Sequence, residues 1–243
     1  MNGLDLVESE QWLIGQFFGV DHPFLRINKA TIIYTWITLA IITLFLVAGR
    51  YFLSRKKGVG TFIILKFISF FVDLIKQSLP VFSMRHFVFI TTTFCFVFAC
   101  NAVALIPWME EPTIDLNTTL AFGLIAFLYA QWTSITTGGL WAYIKGYFSP
   151  FFIMFPLNVV GRLATIVSIS FRLFGNIFGG SIISGIYLHA IQGHFLWEIV
   201  GIISGMNILI TLFFGLFEGF LQAFVFGMLS LTYLSLALQG EGH

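Results

Sequence analysis

Charged residues are scarce in this sequence. Aspartate, glutamate, lysine and arginine together make up 9% of its 243 residues, whereas soluble domains carry about 25%. Hydrophobic residues make up 58% and aromatic residues 18%, and Phe is the commonest aromatic at 31. So little charge cannot solvate the surface of a globule of this size, which excludes a soluble domain. The composition therefore predicts an integral membrane protein with several spans.

Other features are missing too, and each absence excludes a class of protein. The two cysteines, Cys95 and Cys100, lie in one apolar segment and would face different ways on a helix, so neither a disulfide nor a metal pair is expected. The net charge of +1 implies no nucleic-acid partner. No G-x-x-x-x-G-K-[ST] loop is present, so the chain should bind no nucleotide and be no enzyme by itself. We expect no cofactor. We also expect no cleavable signal peptide, because residues 1–29 lack a basic leading region.

Apolar runs divide the chain into about five transmembrane helices and one amphipathic helix, an all-α fold in a single membrane domain. Residues 1–29 form an N-terminal lead in which Leu13, Phe17, Val20 and Phe24 recur at helical spacing. The remaining expected segments are a first span at 30–50, an interfacial helix at 59–79, spans two and three within 86–137, a loop at 138–156 and a long hairpin at 157–238.

Residues 59–79 are apolar enough to span a membrane, yet they carry a polar stripe. Lys66, Ser69, Asp73 and Lys76 follow one another at helical spacing along one face. This pattern favours a helix that lies in the cytoplasmic interface. The alternative is a true span, which would invert the orientation of everything that follows.

The basic residues set the expected orientation, because cytoplasmic loops are enriched in Lys and Arg. With the N-terminus outside and five spans, the outer side holds only Arg26 and Lys29. The inner side then holds Arg50, Arg55, Lys56, Lys57, Lys66, Lys76, Arg85 and Lys145. The imbalance predicts an outer N-terminus and a cytoplasmic C-terminus.

The last two apolar segments are too long for simple spans. The run from Leu157 to Ala190 would form a helix about 50 Å long, against a hydrocarbon core of ~30 Å. The next run, from Trp197 to Leu238, is longer still, and a short turn at 191–194 joins the two. We expect a strongly tilted antiparallel hairpin that lies along another object in the membrane.

Arg172 lies near the middle of the first of these helices, with apolar sequence on both sides. An arginine at the centre of a membrane helix costs about 2.5–3.5 kcal/mol on translocon scales, so the default interpretation is functional. Arg172 would face an ion path, a water-filled cavity or a buried carboxylate. The alternative, an arginine that snorkels to the interface, fits less well at this depth. Arg162, ten residues earlier, is expected at the inner interface.

Polar residues on the hairpin supply candidate partners for Arg172. Asn176 is four residues beyond it and shares its face, while Ser181 points the opposite way. On the second helix, Glu218 and Gln222 share a face. Two interpretations stay open: Arg172 and Glu218 form a structural ion pair, or Glu218 belongs to a hydrated path to the outer surface. The glycines at 175, 179, 180 and 185 predict close packing, either within the hairpin or against a partner.

Several motifs together resemble subunit a of the rotary F-type ATP synthases, in chain order from about residue 85 to residue 238. The most specific is Ser-Phe-Arg-Leu-Phe-Gly-Asn at 170–176. The others are Asn101 followed by Leu-Ile-Pro at 105–107, Pro-Thr-Ile-Asp-Leu-Asn-Thr-Thr-Leu at 112–120, Pro-Leu-Asn-Val-Val-Gly at 156–161, Gly-Phe-Leu-Gln-Ala-Phe-Val-Phe at 219–226 and Leu-Thr-Tyr-Leu at 231–234.

The resemblance implies a stator subunit that supplies two half-channels to the carboxylates of a rotating ring of c subunits and couples ion flow to rotation. Arg172 would be the essential arginine, which pairs with the ring carboxylate and separates the half-channels. The implied proton path comprises Asn101, Asp115, Asn117, Asn176, Ser181, His189, Glu218 and Gln222.

The resemblance also implies partners and a location. The partners are the c ring, the peripheral stalk subunit b, the remaining subunits of the membrane (Fo) and catalytic sectors, and the lipid bilayer. The location is a bacterial plasma membrane, or an organellar inner or thylakoid membrane. Proton and sodium both stay open as the ion, and a stand-alone transporter that binds an anion at Arg172 is the alternative function.

The sequence departs from the family's pattern at the channel acids. Many members have an acidic residue or histidine nine positions after the arginine, where this chain has Ser181, and another seven positions before the glutamine, where it has Gly215. Here Glu218 lies four positions before Gln222 instead. We expect Glu218 to serve the outer half-channel from one helical turn lower, about 4.5 Å away along the axis.

Overall fold

The computed structural model describes residues 11–13, 26–55, 58–106, 109, 111–148, 151–191 and 205–239. Two three-residue strands, β1 (Gln11–Leu13) and β2 (Arg26–Asn28), pair antiparallel. Leu13, the first residue of the expected amphipathic helix, therefore lies in a strand. The rest of that pattern, at 17, 20 and 24, lies outside the described residues. All other regular structure in the described chain is helical.

The helices follow the apolar runs of the sequence. They are α1 (Lys29–Ser54), α2 (Val59–Ser78), α3 (Met84–Ala102), α4 (Leu116–Gly138), α5 (Leu140–Tyr147), α6 (Phe155–Ile191), α7 (Met206–Thr211) and α8 (Gly219–Gln239). A π-helical segment, Leu212–Glu218, joins α7 to α8. Short 3₁₀ turns lie at Val103–Leu105, Pro112–Ile114 and Phe152–Met154.

Five helices of the described chain are long and apolar enough to cross a membrane: Thr31–Ser54, Met84–Ala102, Leu116–Gly138, Phe152–Tyr187 and Ile208–Leu238. Helix α2, which carries Lys66, Asp73 and Lys76, is not among them. The prediction of an all-α membrane fold with about five spans is thus confirmed. Helix α6 has 37 residues, or about 55 Å at 1.5 Å per residue, so the expectation of an over-long helix is also met.

Two features differ from the sequence-based expectation. The segment 138–156 was expected to be a loop, but it contains α5 and a 3₁₀ turn. Gly139, with a φ of 84°, breaks α4, because glycine adopts the left-handed region without steric cost. The second difference is the π segment, which interrupts what the apolar pattern predicts to be one continuous α-helix. The turn expected at 191–194 lies outside the described residues beyond Ile191.

Helix α8 lies at the centre of the bundle and packs along α3 and α4, and α4 packs along α6. Its core residues include Ala223, Phe226, Leu231 and Leu234, which are at most 1% exposed. Ile90, Phe94 and Val97 of α3, Ala126 of α4, and Ile169 and Leu173 of α6 complete this core. Helix α2 closes one side with Phe71 and Ile75.

The close approach of α4 to α6 depends on a glycine. A Cβ atom placed at Gly123 would overlap Ser170 Oγ and lie 3.2 Å from the Ile166 carbonyl oxygen. Even a methyl group would be crowded there, so small residues allow the two helices to approach closely. This contact fixes the stretch of α6 immediately before Arg172.

Candidate functional site

A polar cavity of about 240 Å³ lies between the end of α3, the 109–114 segment, α6 and the π segment with the start of α8. Apolar neighbours such as Ile177 and Phe214 form part of its wall. The polar side chains that line it are Asn101, Glu111, Asn176, Ser181, Ser184, Glu218 and Gln222. The structure thus brings together five of the residues predicted for the proton path: Asn101, Asn176, Ser181, Glu218 and Gln222.

At one end of the cavity, Asn101 connects two segments of its wall by hydrogen bonds. Thr113 Oγ1 donates a hydrogen bond to Asn101 Oδ1 at 2.9 Å, and Asn101 Nδ2 donates to the Gly219 carbonyl oxygen at 3.3 Å. Asn101 is 1% exposed and Thr113 is fully buried. A buried amide needs such partners, because an unsatisfied one costs about 1–3 kcal/mol. The asparagine therefore ties the 111–114 turn to α8 directly beside Glu218.

Gly219 makes this junction possible. A Cβ atom at position 219 would lie 2.7 Å from Asn101 Cβ, closer than real Cβ contacts allow. The glycine that follows Glu218 in the chain therefore allows α3 to reach the backbone of α8.

Asn176 and Gln222 connect the two long helices. Asn176 Nδ2 donates a hydrogen bond to Gln222 Oε1 at 2.6 Å. Gln222 is only 3% exposed, while Asn176 is half-buried. Polar side chains commonly join helices in this way in membranes. The bond lies along the cavity and one turn along α6 from Arg172, which is about 6 Å.

Gly215 and Glu218 both line the cavity. Gly215 occupies the position at which many family members carry an acid, whereas Glu218 does not. Both fall in the π segment, where each backbone bond spans five residues instead of four. Single π turns within α-helices are frequent at functional sites. Glu218 and Gly215 thus share one cavity wall, and the role of Glu218 in an outer half-channel stays a prediction.

Glu111 is a cavity residue that sequence reasoning missed. It is half-buried and lies just before the Pro112–Ile114 turn. Burial and, after it, the negative charge of Glu218 together raise the pKa of Glu111 to about 7. The signal in the sequence was the acidic pair before Pro112, which reads as an ordinary solvated loop.

The other predicted residues lie away from the cavity. Asp115 is the N-cap of α4, where its Oδ1 accepts a hydrogen bond from the Asn117 backbone N–H at 3.0 Å. Such a cap satisfies one of the free N–H groups at a helix start. Asn117 is exposed, and His189 is exposed in the last turn of α6.

Arg172 lies outside the cavity, on an exposed face of α6. Its neighbour Leu173 is fully buried, so the helix turns its apolar side to the core and Arg172 away from it. Glu218 lines the cavity instead, and the described residues hold no Arg172–Glu218 ion pair. Ser181 lines the cavity, in agreement with the prediction that it points opposite to Arg172.

Arg162 behaves differently from Arg172. Its Nη1 donates to Gln131 Oε1 at 2.6 Å, and its guanidinium carbon lies 4.1 Å from the centre of the Tyr147 ring and 5.3 Å from that of Tyr143. Cation–π contacts of this kind contribute about 0.5–2 kcal/mol. Arg162 of α6 therefore contacts both α5 and α4, and its guanidinium has a hydrogen-bond acceptor and two aromatic rings within the chain.

The fold and the site define a class: a multi-span helical membrane protein with a polar cavity on one side of a long helix and an exposed arginine on the other. Residues 32–235 match the family described as ATP synthase A chain. The chain therefore belongs to this family. Its members are non-catalytic subunits of the membrane sector of the ATP synthase, and their general role is in ion transport and ATP synthesis.

Individual relatives agree with this assignment. The chain is 32% identical to ATP synthase subunit a of Moorella thermoacetica over 216 residues, which are 87% of this chain and 92% of the relative. It is 30% identical to ATP synthase subunit a 2 of a Picosynechococcus strain over 222 residues, 89% of this chain and 88% of the relative. It is 33% identical to the sodium ion specific subunit a of Propionigenium modestum over 180 residues, 68% of this chain and 58% of the relative.

Proposed function

We propose that this chain is the proton-translocating stator subunit of a rotary F-type ATP synthase. It would supply two half-channels to the carboxylates of the c ring and couple ion flow to ring rotation. The observation that supports the proposal is the placement of Arg172, which is exposed on a membrane helix, while the cavity lined by Glu111 and Glu218 lies on another side of that helix.

Exposing the Arg172 side chain to lipid alone would be energetically unfavourable. The exposed surface of α6 near it is largely apolar, since Val167, Phe171 and Phe178 are 44–51% exposed, and the exposed polar neighbour Ser168 is uncharged. A guanidinium among such residues costs about 2.5–3.5 kcal/mol at the bilayer centre unless an anion or water meets it. A carboxylate on a neighbouring membrane subunit would supply that anion. The arginine would in turn favour the ionised carboxylate and lower its pKa.

The glycines of α6 support a partner on the same face. Cβ atoms placed at Gly175 and Gly179 would meet nothing within 4 Å, whereas one at Gly180 would lie 2.8 Å from Phe214 Cδ1. Gly180 therefore serves packing inside the chain, while Gly175 and Gly179 leave space beside Arg172. Small residues of this kind allow a second membrane helix to approach closely. The ring helices would occupy that space.

The cavity would be the inner end of the outer half-channel. A proton would reach Glu218 from the outer side and pass the Asn176–Gln222 pair to a ring carboxylate as it leaves Arg172. Arg172 would then block direct passage to the inner half-channel, so that each proton must travel with the ring. One charge that crosses 100 mV yields about 2.3 kcal/mol, so several protons must be coupled for each ATP.

The same proposal fixes partners and orientation. The chain would contact the c ring through the open face of α6, and subunit b and the other Fo and catalytic-sector subunits elsewhere. Its N-terminus would be outside and its C-terminus cytoplasmic, with α2 on the inner interface, which the distribution of Lys and Arg supports. The membrane would be a bacterial plasma membrane.

The test is to replace Arg172 with alanine in the assembled complex and to measure ATP-driven proton pumping in membrane vesicles. We expect coupled pumping to disappear while the complex still assembles. The Arg50→Ala variant, which removes an exposed arginine at the far end of α1, is the matched control and should pump normally. Unimpaired pumping by Arg172→Ala would refute the proposal.

A further inference from the structure

Glu111 is an acidic side chain in the cavity for which the motifs of the family provide no role. It follows Met109 in the segment between α3 and α4, and both residues line the cavity with Ile114. Its carboxyl therefore opens to the same volume as that of Glu218, although the two residues are 107 positions apart in the chain.

The position of Glu111 is held by the turn that follows it, which is closed by a backbone hydrogen bond and linked to α3 through Thr113. The Ile114 N–H donates to the Glu111 carbonyl oxygen at 3.0 Å, which closes the Pro112–Ile114 turn. Thr113 is bonded to Asn101, and Asn101 is bonded to the carbonyl of Gly219, the residue next to Glu218. Both acids thus adjoin the same buried asparagine link.

Neither acid has a cationic side chain beside it in the described part of the cavity wall. Among the described residues that line the cavity, Glu111 and Glu218 are the acidic ones and none is Lys, Arg or His. Helix α3 contributes Asn101, and α6 contributes Asn176, Ser181 and Ser184, all of them neutral. Asp115, the next acid in the turn, is bonded to the start of α4. Two carboxyl groups that share a site without a counter-charge resist simultaneous ionisation, so one of them holds a proton more tightly.

The cavity is large enough to connect the two acids through water. Its volume of about 240 Å³ has room for several water molecules at about 30 Å³ each in the liquid. The amide and hydroxyl groups of its wall provide the hydrogen-bond partners that enclosed water needs.

We propose that Glu111 is a second proton-carrying residue of the outer path, which captures protons from the outer side and passes them through cavity water to Glu218. In each transfer the O–H bond of the Glu111 carboxylic acid breaks and an O–H bond forms at the Glu218 carboxylate. Glu111 then takes its next proton from the outer water. This inference rests on the proposed function, since it names a further group on the same path.

Infrared difference spectroscopy of the assembled complex tests the protonation of Glu111 without any transport. On a change from about pH 6 to about pH 8, a Glu that titrates near neutrality loses its protonated carboxyl band. We expect the Glu111→Gln variant to lack this band, and the Asp73→Asn variant, which removes an exposed acid on α2, to keep it. A band unchanged in Glu111→Gln would overturn the proposal.

Proton flux in vesicles tests the transport step. We expect Glu111→Gln to lower flux about tenfold or more at an outer pH of about 8, where protons are scarce, and Glu111→Asp to restore most of it. Copurification of the c ring checks that each variant assembles. If Glu111→Gln keeps full flux while Arg172→Ala and Glu218→Gln lose it, the relay is wrong and the proposed function stands. If Arg172→Ala also pumps normally, the proposed function itself fails.

Discussion

The two sides of α6 differ in how their polar groups are satisfied. On the cavity side, Asn176 bonds to Gln222 and Ser181 bonds to the Phe178 carbonyl oxygen. On the open side, Arg172 is exposed and Gly175 faces empty space. Within one helix, the groups on the cavity side bond within the chain, whereas we propose that Arg172 on the open side meets another subunit.

Two arginines of α6, Arg162 and Arg172, also differ in whether the chain supplies them with partners. Arg162 and Arg172 lie ten residues apart on α6, and both are guanidinium groups in an apolar helix. Arg162 is held by Gln131 and two tyrosines, whereas Arg172 is turned out of the bundle. Among the described residues Arg172 has no such partner, and because a lone charge in a membrane helix is costly, we propose that a neighbouring subunit supplies one.

The largest expected effect concerns the acid of the cavity side. Replacing Glu218 with glutamine removes a group that can carry a proton, and general acid–base groups are typically worth 10²–10⁴-fold. We expect proton flux in vesicles to fall about 100-fold, and Glu218→Asp to retain much of it. The exposed Asp73→Asn variant is the control for loss of an acid. Normal flux in Glu218→Gln across the pH range would remove Glu218 from the path.

A smaller effect is expected from the glycine that holds the cavity together. In the Gly219→Ala variant, the added Cβ would lie 2.7 Å from Asn101 Cβ, so α3 and α8 must separate. Overpacking of this kind costs about 1–3 kcal/mol. Thermal unfolding in detergent should therefore show a lower Tm than that of the parent. Gly161→Ala, whose Cβ meets nothing within 4 Å, should not lower the Tm, since alanine also favours the helix; equal Tm values for the two variants would contradict the contact.

The smallest expected change in stability separates the two glycine faces of α6. Gly180→Ala places a Cβ 2.8 Å from Phe214 Cδ1, while Gly179→Ala places one in open space. Gly180→Ala should lower the Tm of the isolated chain, and Gly179→Ala should leave the free energy of unfolding within about 0.5 kcal/mol. In the complex, the bulkier Gly179→Leu should weaken copurification with the c ring. If Gly179→Leu leaves ring binding intact, the open face does not contact the ring.

Much of the fold could be predicted because the decisive signals are local. Long apolar runs predict spans, and α6 extends over 37 residues where the sequence shows a run far longer than a bilayer needs. Arg172 could be singled out because a charge in such a run is costly wherever it points. The hydrogen bond between Asn176 and Gln222 was not predicted: the sequence placed Asn176 on the face of Arg172, whereas the structure bonds it to Gln222 on the cavity side.

The rest could not be predicted because it depends on tertiary contacts. In the sequence, Glu111 cannot be told from an ordinary acid in a loop. It lies beside Glu218 because hydrogen bonds link Thr113 to Asn101 and Asn101 to Gly219. The π segment could not be predicted, because residues 212–218 continue the apolar pattern of the helices on either side. Helix α5 forms where a loop was expected, and its two tyrosine rings lie against Arg162, a tertiary contact that the local sequence does not show.

The two-sidedness of α6 is tested most directly by crosslinking from matched serines on that helix. Ser168 is exposed one turn before Arg172, whereas Ser184 lines the cavity. In a background with Cys95→Ser and Cys100→Ala, Ser168→Cys and Ser184→Cys would each carry a benzophenone maleimide in the native complex. We predict a photoadduct with a c subunit from position 168 and adducts only within the chain from position 184. A c-subunit adduct from 184 but not from 168 would contradict the account.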